Sequence, residues 1–258
     1  MTYNIRYDNP GDGVHNWDHR KEHVVALLDF HEPDVLGIQE GLHHQVTYLD
    51  EALPHMKYVG IGRDDGHQKG EYTAIFYNSD RFELVMDSTF WLSPNPDRPS
   101  VGWDASMERI CTYALLQERN PTNGTKRRFW VLNAHLDHRG PESRLQALKL
   151  IWETIEQLNK SVTLPVILMG DFNAEPQEDP ITFISQQMND SRSASIKPAY
   201  GPEGTFTGFV YKVSPKRRID YIFTNVEFRV NKYAVIGDTY DNFYPSDHLP
   251  ILVELAWK

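Results

Sequence analysis

Between residues 164 and 174 the chain reads Leu-Pro-Val-Ile-Leu-Met-Gly-Asp-Phe-Asn-Ala. The unbroken apolar run Val166 to Met169 specifies a strand buried on both faces, and such a strand needs layers packed above and below it. The run stops at Gly170, and Asp171, Phe172 and Asn173 follow. In strand geometry Asp171 and Asn173 project to one side and Phe172 to the other. One hydrophobic strand thus carries two oxygen-bearing side chains to the rim of a core, where they suit a hard cation or a water to be activated. An Asx-type turn closing a strand uses the same residues, and the motif alone does not separate the two.

The rest of the chain supplies the layers. Residues 1–7 alternate like a strand, and a polar loop follows over 8–16. A helix fits 17–31, with Val24, Val25, Leu27, Leu28 and Phe30 on one broad side, and a second fits Gln45 to Leu53, ended by Pro54. Strand patterns cover Glu71 to Tyr77, Phe82 to Trp91, Glu108 to Gln117, Arg128 to Leu136, Arg218 to Phe223, Val226 to Val235 and Ile251 to Leu255. A turn is expected at Asn120 to Gly124. Pro141 opens a helix whose Leu145, Leu148, Ile151, Trp152, Ile155 and Leu158 keep helical spacing, and another helix is placed near 179–188. Pro94 to Trp103 and Pro198 to Gly208 are loops, the first long enough to rim a site. Strands outnumber helices, which fits an α/β or α+β sandwich of packed sheets covered by helices. No linker or repeat interrupts it, so residues 1–258 are taken as a single domain.

Composition narrows the function. The net charge of −10 argues against tight binding to duplex DNA, which wants a positive surface. No window approaches ~18 uninterrupted apolar residues, so no membrane span is expected. Cys111 is the only cysteine, which excludes an internal disulfide or a cysteine-based zinc site. The strand pattern starts at the first residue, which fits a cytoplasmic chain or an exported one whose leader has been removed.

Several segments share a grammar in which a short apolar strand ends in acidic, amide or imidazole groups. They are Tyr3-Asn-Ile-Arg6, Gly37-Ile-Gln-Glu40, Asn133-Ala-His-Leu-Asp137, Gly170-Asp-Phe-Asn173, Arg218-Ile-Asp-Tyr-Ile222 and Ser246-Asp-His248. Each has an ordinary reading: Asn4 as a strand amide, Glu40 as a helix cap, His135 and Asp137 as a polar pair on one face. Asp220 resists one, because a carboxylate inside an apolar strand is costly unless paired. No Gly-x-Ser-x-Gly elbow accompanies Ser246, which argues against a serine hydrolase.

In this order, and from end to end, the motifs resemble the endonuclease/exonuclease/phosphatase superfamily. The segments Gly62 to Gly66, Gly70-Glu71, Phe90 to Ser93, Gly102-Trp-Asp104 and Arg109 to Thr112 are similar to a bacterial branch near the deadenylase-like and nocturnin-like members. The resemblance implies a four-layer sandwich of two mixed β-sheets face to face with helices outside. It also implies a Mg²⁺-dependent phosphoesterase, with Mn²⁺ as a possible substitute, using metal-assisted in-line attack of water on a phosphodiester.

The same resemblance assigns roles. Asn4, Glu40 and Asp247 are expected at the metal. Asp171 and Asn173 face the nucleophilic water and the scissile phosphate, with Asp171 as base or second-metal ligand. His135 and His248 flank the phosphate, and Asp220 orients His248 and raises its pKa. Glu71 is expected to orient His135, while Arg109 and Asp137 contact the phosphate or form a structural ion pair beside the site. His43, His44 and His138 match no motif and are expected at the surface.

Trp91, Trp103, Phe206, Phe209, Tyr211, Phe243 and Tyr244 lie in expected rim loops, where they stack on a base or merely anchor the loops. With the acidic balance, the expected substrate is single-stranded RNA, a nucleotide or a small phosphodiester, acted on by a monomer. A phosphomonoesterase and a sphingomyelinase-like phosphodiesterase remain alternatives. So do a non-catalytic binding domain with a retired site, and a zinc hydrolase built on His135, Asp137 and His248.

Overall fold

A computed structural model describes residues 1–121 and 124–258; the turn expected at 120–124 includes 122 and 123, which lie outside the described residues. In chain order the elements are β1 (Thr2–Asn4), α1 (Trp17–His31), β2 (Val35–Gln39), α2 (His43–Ala52), β3 (Met56–Val59), β4 (Ile75–Asn78), β5 (Phe82–Trp91) and β6 (Ile110–Glu118). Then come β7 (Arg128–His135), α3 (Pro141–Leu158), β8 (Val166–Asp171), α4 (Asp179–Ser185), β9 (Asn189–Asp190), α5 (Ser191–Ala194), β10 (Asp220–Thr224), β11 (Phe228–Val235) and β12 (Ile251–Trp257). The first strand is shorter than its alternation suggests. It stops at Asn4 because Arg6 takes a left-handed φ of 59°. The polar loop after it holds a 3-10 helix, Pro10–His15.

The strands form two six-stranded sheets, ordered β11-β12-β1-β2-β4-β3 and β5-β6-β7-β8-β10-β9. Both are mixed, since β1 runs parallel to β2 and β7 parallel to β8 while their other neighbours are antiparallel. Helices α1 and α2 cover the outside of the first sheet through Val24, Leu28, Val46 and Leu49 against Leu36, Ile38 and Phe76. Helices α3 and α4 cover the second through Leu148, Ile151, Ile181 and Ile184 against Leu132, Val166 and Leu168. The four-layer sandwich implied by the resemblance is the fold observed.

Strand β8 shows why its apolar run had to be unbroken. Val166 and Leu168 face α3, while Ile167 and Met169 point into the layer between the sheets beside Val131, Ile222 and Ile251. Each fully buried side chain of this size is worth about 1.5–3 kcal/mol, and a one-residue slip would exchange the two sets. The sheets are also pinned by a polar pair. Gln39 Nε2 donates to Asn133 Oδ1 at 2.7 Å, and Asn133 Nδ2 donates to the carbonyls of Ile38 and Ala74 at 2.8 and 2.9 Å. Gly37 leaves the room this pair needs, because a Cβ there would lie 2.8 Å from Asn133 Cγ and 2.7 Å from Met169 Cε.

Parallel pairing sets the position of the polar residues. Asn4 is level with Gln39 across β1 and β2, and His135 with Asp171 across β7 and β8. Antiparallel β10 then brings Asp220 level with Asp171. The ends of four central strands and the start of a fifth therefore open at one edge of the sandwich.

Candidate active site

The centre of that edge is Asp171. Gly170 delivers it with a φ of 148°, in a position where a Cβ would overlap the Ala134 carbonyl oxygen. The strand geometry expected to carry on to Asn173 does not, since β8 ends at Asp171 and Asn173 takes a left-handed φ of 48°. A turn, not the pleat, brings the two together. The Asn173 backbone N–H donates to Asp171 Oδ1 at 2.9 Å, and its Nδ2 donates to the Leu136 carbonyl at 3.0 Å and lies 3.2 Å from His135 Nε2.

Around Asp171 Oδ2 the other groups converge. Asn4 Nδ2 donates to it and to Glu40 Oε1, both at 3.0 Å. His135 Nε2 lies 3.5 Å away and His248 Nε2 3.7 Å away. As placed, Asn4 turns its Oδ1 to the Arg6 backbone N–H at 3.0 Å, so its carboxamide ties two carboxylates together and offers no oxygen between them. Asp220 Oδ2 takes the far nitrogen of His248, Nδ1, at 2.9 Å.

Neighbouring charges separate the protonation states of the two buried histidines. Burial pulls the His248 pKa down, but Asp220 and then Asp171 overcome it and hold it well above the ordinary histidine value. Burial, then the positive charges of Arg109 and Arg63, hold His135 well below that value. Between a cationic and a neutral imidazole, burial and the like charge of Asp220 push Asp171 up to about 7. Such a divergence of neighbouring pKa values is the electrostatic mark of acid–base chemistry.

Two expected site residues are less direct. Glu71 Oε2 lies 3.7 Å from His135 Nδ1, but its closest partner is Arg63, which it meets at 2.7 and 2.8 Å. Asp137 does not share a face with His135. Its carboxylate accepts from Ser106 N and Oγ, Arg139 N, Gly140 N and Arg109 Nε, at 3.0, 2.8, 2.9, 2.8 and 3.3 Å. Burial would raise its pKa, yet these donors hold it below the usual carboxylate range. Asp137 and Arg109 are thus a buried ion pair in the wall of the site. With its lone pairs committed, Asp137 leaves no zinc triad with His135 and His248.

Three residues that the motif reading passed over complete the site. Arg6 donates to Asp12 at 2.9 and 3.0 Å and lies 3.9 Å from both Glu40 Oε2 and Asp247 Oδ2, bringing positive charge between two carboxylates. Arg63 does the same for Glu71. Arg20, 3% exposed, donates to the carbonyls of His15, Ile5, Pro245 and Arg6 at 2.6, 2.8, 2.7 and 3.1 Å, so one guanidinium joins three site loops. Arg6 carries a signal, since it closes the first motif. Arg20 gives none, because a helical arginine in sequence looks solvated.

The rim aromatics divide. Trp91 and Tyr244 are buried, and the Trp91 indole N–H donates to the Arg63 carbonyl at 2.8 Å, an anchoring role. Trp103, Phe206, Phe209, Tyr211 and Phe243 are half-buried or exposed. Phe206 sets its ring edge against His248 at 5.1 Å between centroids. His138 is exposed, as expected, yet its Nδ1 is 2.9 Å from Arg109 Nη2.

Glu40, His135 and Asp171 each place a ligand atom within 4.8 Å of the others, and Asp171, Asp220 and His248 do likewise. Asp220 is committed to His248, which leaves the first group. Two carboxylates and an imidazole could hold a divalent cation.

The model of the Endonuclease/Exonuclease/phosphatase family matches residues 1–248. The chain belongs to this family. A crystal structure of an endonuclease/exonuclease/phosphatase family protein from Bacteroides thetaiotaomicron is 37% identical, with a TM-score of 0.94 over 100% of this chain and 96% of that one. The mannosyl-6-phosphatase of B. thetaiotaomicron VPI-5482 is also 37% identical, with a TM-score of 0.93 over 99% and 98% of the two chains. Nocturnin of Xenopus laevis is 24% identical over 100% of this chain and 72% of its own length. As a member of the endonuclease/exonuclease/phosphatase family, the chain is a phosphoester hydrolase.

Proposed function

We propose that this family member is a divalent-metal-dependent phosphomonoesterase acting on a phosphorylated sugar or similar small hydroxyl compound. The observation that carries the chemistry is Asp171 Oδ2 set between two histidines of opposite charge state. With a pKa pushed up to about 7, Asp171 is suited to accept a proton from water near neutral pH. His248, kept cationic by Asp220, donates a hydrogen bond and charge to a phosphoryl oxygen as negative charge builds there. Neutral His135, steadied by Asn173, faces the phosphate from the other side. Asn4 holds Glu40 and Asp171 at fixed separation. A divalent cation held by Glu40, with Asp247 behind Arg6 as a further carboxylate, would supply Lewis-acid neutralisation of the phosphate.

The preference for a monoester rests on the 37% identity with the mannosyl-6-phosphatase over nearly all of both chains, against 24% with nocturnin. The sequence reading leaned toward phosphodiesters, and a nuclease or nucleotide diesterase remains the second reading, supported by the nocturnin likeness. The test is hydrolysis of hexose 6-phosphates, p-nitrophenyl phosphate, bis-p-nitrophenyl phosphate, single-stranded poly(A) and duplex DNA with Mg²⁺, with Mn²⁺ and with EDTA. Metal-dependent release of phosphate from the monoesters is expected. Cleavage confined to the diesters would select the second reading, and silence across the panel would point to a retired site.

A further inference from the structure

The loop expected over Pro198 to Gly208 ends in Thr205, Phe206, Thr207 and Gly208, and these residues are bonded on both sides to the segments that carry Asp220 and His248. On one side lies the entry to β10. Thr205, fully buried, accepts the backbone N–H groups of Ile219 and Asp220 on its Oγ1, at 3.1 and 3.2 Å. The N–H groups of Thr205 and Phe206 both donate to the Arg217 carbonyl, at 2.8 and 3.2 Å. Strand β9 pairs with β10 only at Phe223 and Thr224, so at the site end a threonine hydroxyl takes the place of a neighbouring strand. The fit is close, since a Cβ on Gly204 would lie 2.6 Å from the Lys216 carbonyl carbon.

On the other side lies the segment before β12. The Asp247 carbonyl accepts Thr207 N, Thr207 Oγ1 and Gly208 N, at 2.7, 2.9 and 3.2 Å. The Leu249 N–H donates to the Thr205 carbonyl at 2.7 Å, and Phe206 bridges to His248 as adjacent strands do. Between the two anchorages stands the 2.9 Å contact of Asp220 Oδ2 with His248 Nδ1. Neither sheet alone sets its length, because Asp220 starts a strand of the second sheet and His248 precedes a strand of the first. A hydrogen bond between charged groups weakens as it lengthens or bends, and a group that must meet the phosphate tolerates little misplacement. We propose that Thr205 and Thr207 are positioning residues that splint the Asp220–His248 pair across the two sheets. Thr205 fixes the Asp220 backbone, and Thr207 fixes that of Asp247 and so of His248. This rests on the reading of His248 as the group that meets the phosphate, and it holds for a monoester and a diester alike.

The test is a double-mutant cycle on kcat and KM with p-nitrophenyl phosphate and bis-p-nitrophenyl phosphate. Thr205→Val keeps the side-chain shape and removes the acceptor. It should lower kcat about tenfold with KM unchanged within about twofold, and Thr205→Ser should restore kcat to within about threefold. In an Asp220→Asn background the same Thr205→Val change should cost less than about threefold, because the pair it aligns is already broken. Equal losses in the two backgrounds, or a loss confined to KM, would overturn the splint. Proton NMR gives a readout without turnover. The downfield resonance of the His248 Nδ1 proton, identified by its shift in Asp220→Asn, should move upfield in Thr205→Val and stay in place in Thr205→Ser. An unmoved resonance in Thr205→Val would also overturn the splint. Should Thr205→Val not fold, Thr207→Val decides by the same kcat, KM and resonance measures, since it loses only the hydroxyl bond to Asp247 and keeps its backbone bond. Wild-type silence on both esters would tell against the proposed function, and the resonance would still decide the splint.

Discussion

Asp220 Oδ2 and His248 Nδ1 lie 2.9 Å apart, and both side chains are buried. Asp220 enters from the first residue of β10 and His248 from the loop before β12, so the pair bridges the two sheets at the site edge. It also answers why a carboxylate can stand in an apolar strand. The pair is costly to bury, and its return is a cation aimed at the phosphate.

Replacing Asp220 by Asn should therefore act through His248. Activity that needs the imidazolium is lost as pH rises through the His248 pKa, which Asp220 helps to hold well above the ordinary value. Asp220→Asn should move the alkaline limb of the kcat profile to lower pH and lower kcat by about 10–100-fold at its optimum. An alkaline limb that stays in place would remove Asp220 from this role.

Asp171 makes a stability prediction for the metal-free protein. Its pKa rises from an ordinary carboxylate value to about 7 on folding, so its contribution is fully present below about pH 4 and is lost as pH rises toward 7. His248, also raised, contributes fully below about pH 6.5 and loses that contribution at higher pH. Asp171 and His248 thus add stability on going from pH 7 to pH 5, while His135, whose pKa is depressed, takes some away over the same range, so the effect of Asp171 is read as the difference between wild type and variant. Asp171→Asn should raise the stability of the metal-free protein at pH 7 by about 1–3 kcal/mol and flatten the slope while abolishing most activity. Thermal denaturation in EDTA across this range reads both effects, and a melting temperature for Asp171→Asn at or below wild type at pH 7 would contradict them.

Glu40→Ala should leave the fold intact and raise the half-saturating Mg²⁺ or Mn²⁺ concentration at least about tenfold, because one of two oxygen anions is lost from the cation. Calorimetric titration of the metal checks this without turnover. Unchanged affinity would remove Glu40 from the cation.

Arg20 should behave as a structural residue of unusual weight for a charged side chain. Removing it leaves the carbonyls of Ile5, Arg6, His15 and Pro245 without their buried donor, and Arg20→Ala should cost about 2–4 kcal/mol. Arg20→Lys should recover little, since one ammonium cannot span them. Denaturant midpoints report the loss, and a shift below about 0.5 kcal/mol would mean that water replaces the guanidinium.

The strands and helices that carry local periodicity were legible. Helix α1 runs over the residues its apolar spacing marks, and Phe82 to Trp91 forms the expected strand. Spacing misled where the chain leaves a strand. Asn173 and Asp137 follow Asp171 and His135 by two residues, but the strands stop first. A left-handed turn brings Asn173 to Asp171, and four residues, Ser106, Arg109, Arg139 and Gly140, claim the Asp137 carboxylate.

The sequence by itself determined that a doubly buried strand ends in Gly170 and Asp171, that acids, amides and imidazoles recur at strand ends, and that the order of these motifs is that of one family. Tertiary structure alone decided how they act. Asn4 meets Glu40 and Asp171, and Asp220 meets His248, through pairing registers and sheet packing that join distant segments, and no local pattern encodes those. His135 is neutral and His248 cationic for a related reason. A pKa depends on burial and on charges brought close from elsewhere in the chain, and the same imidazole answers oppositely to two arginines and to two carboxylates.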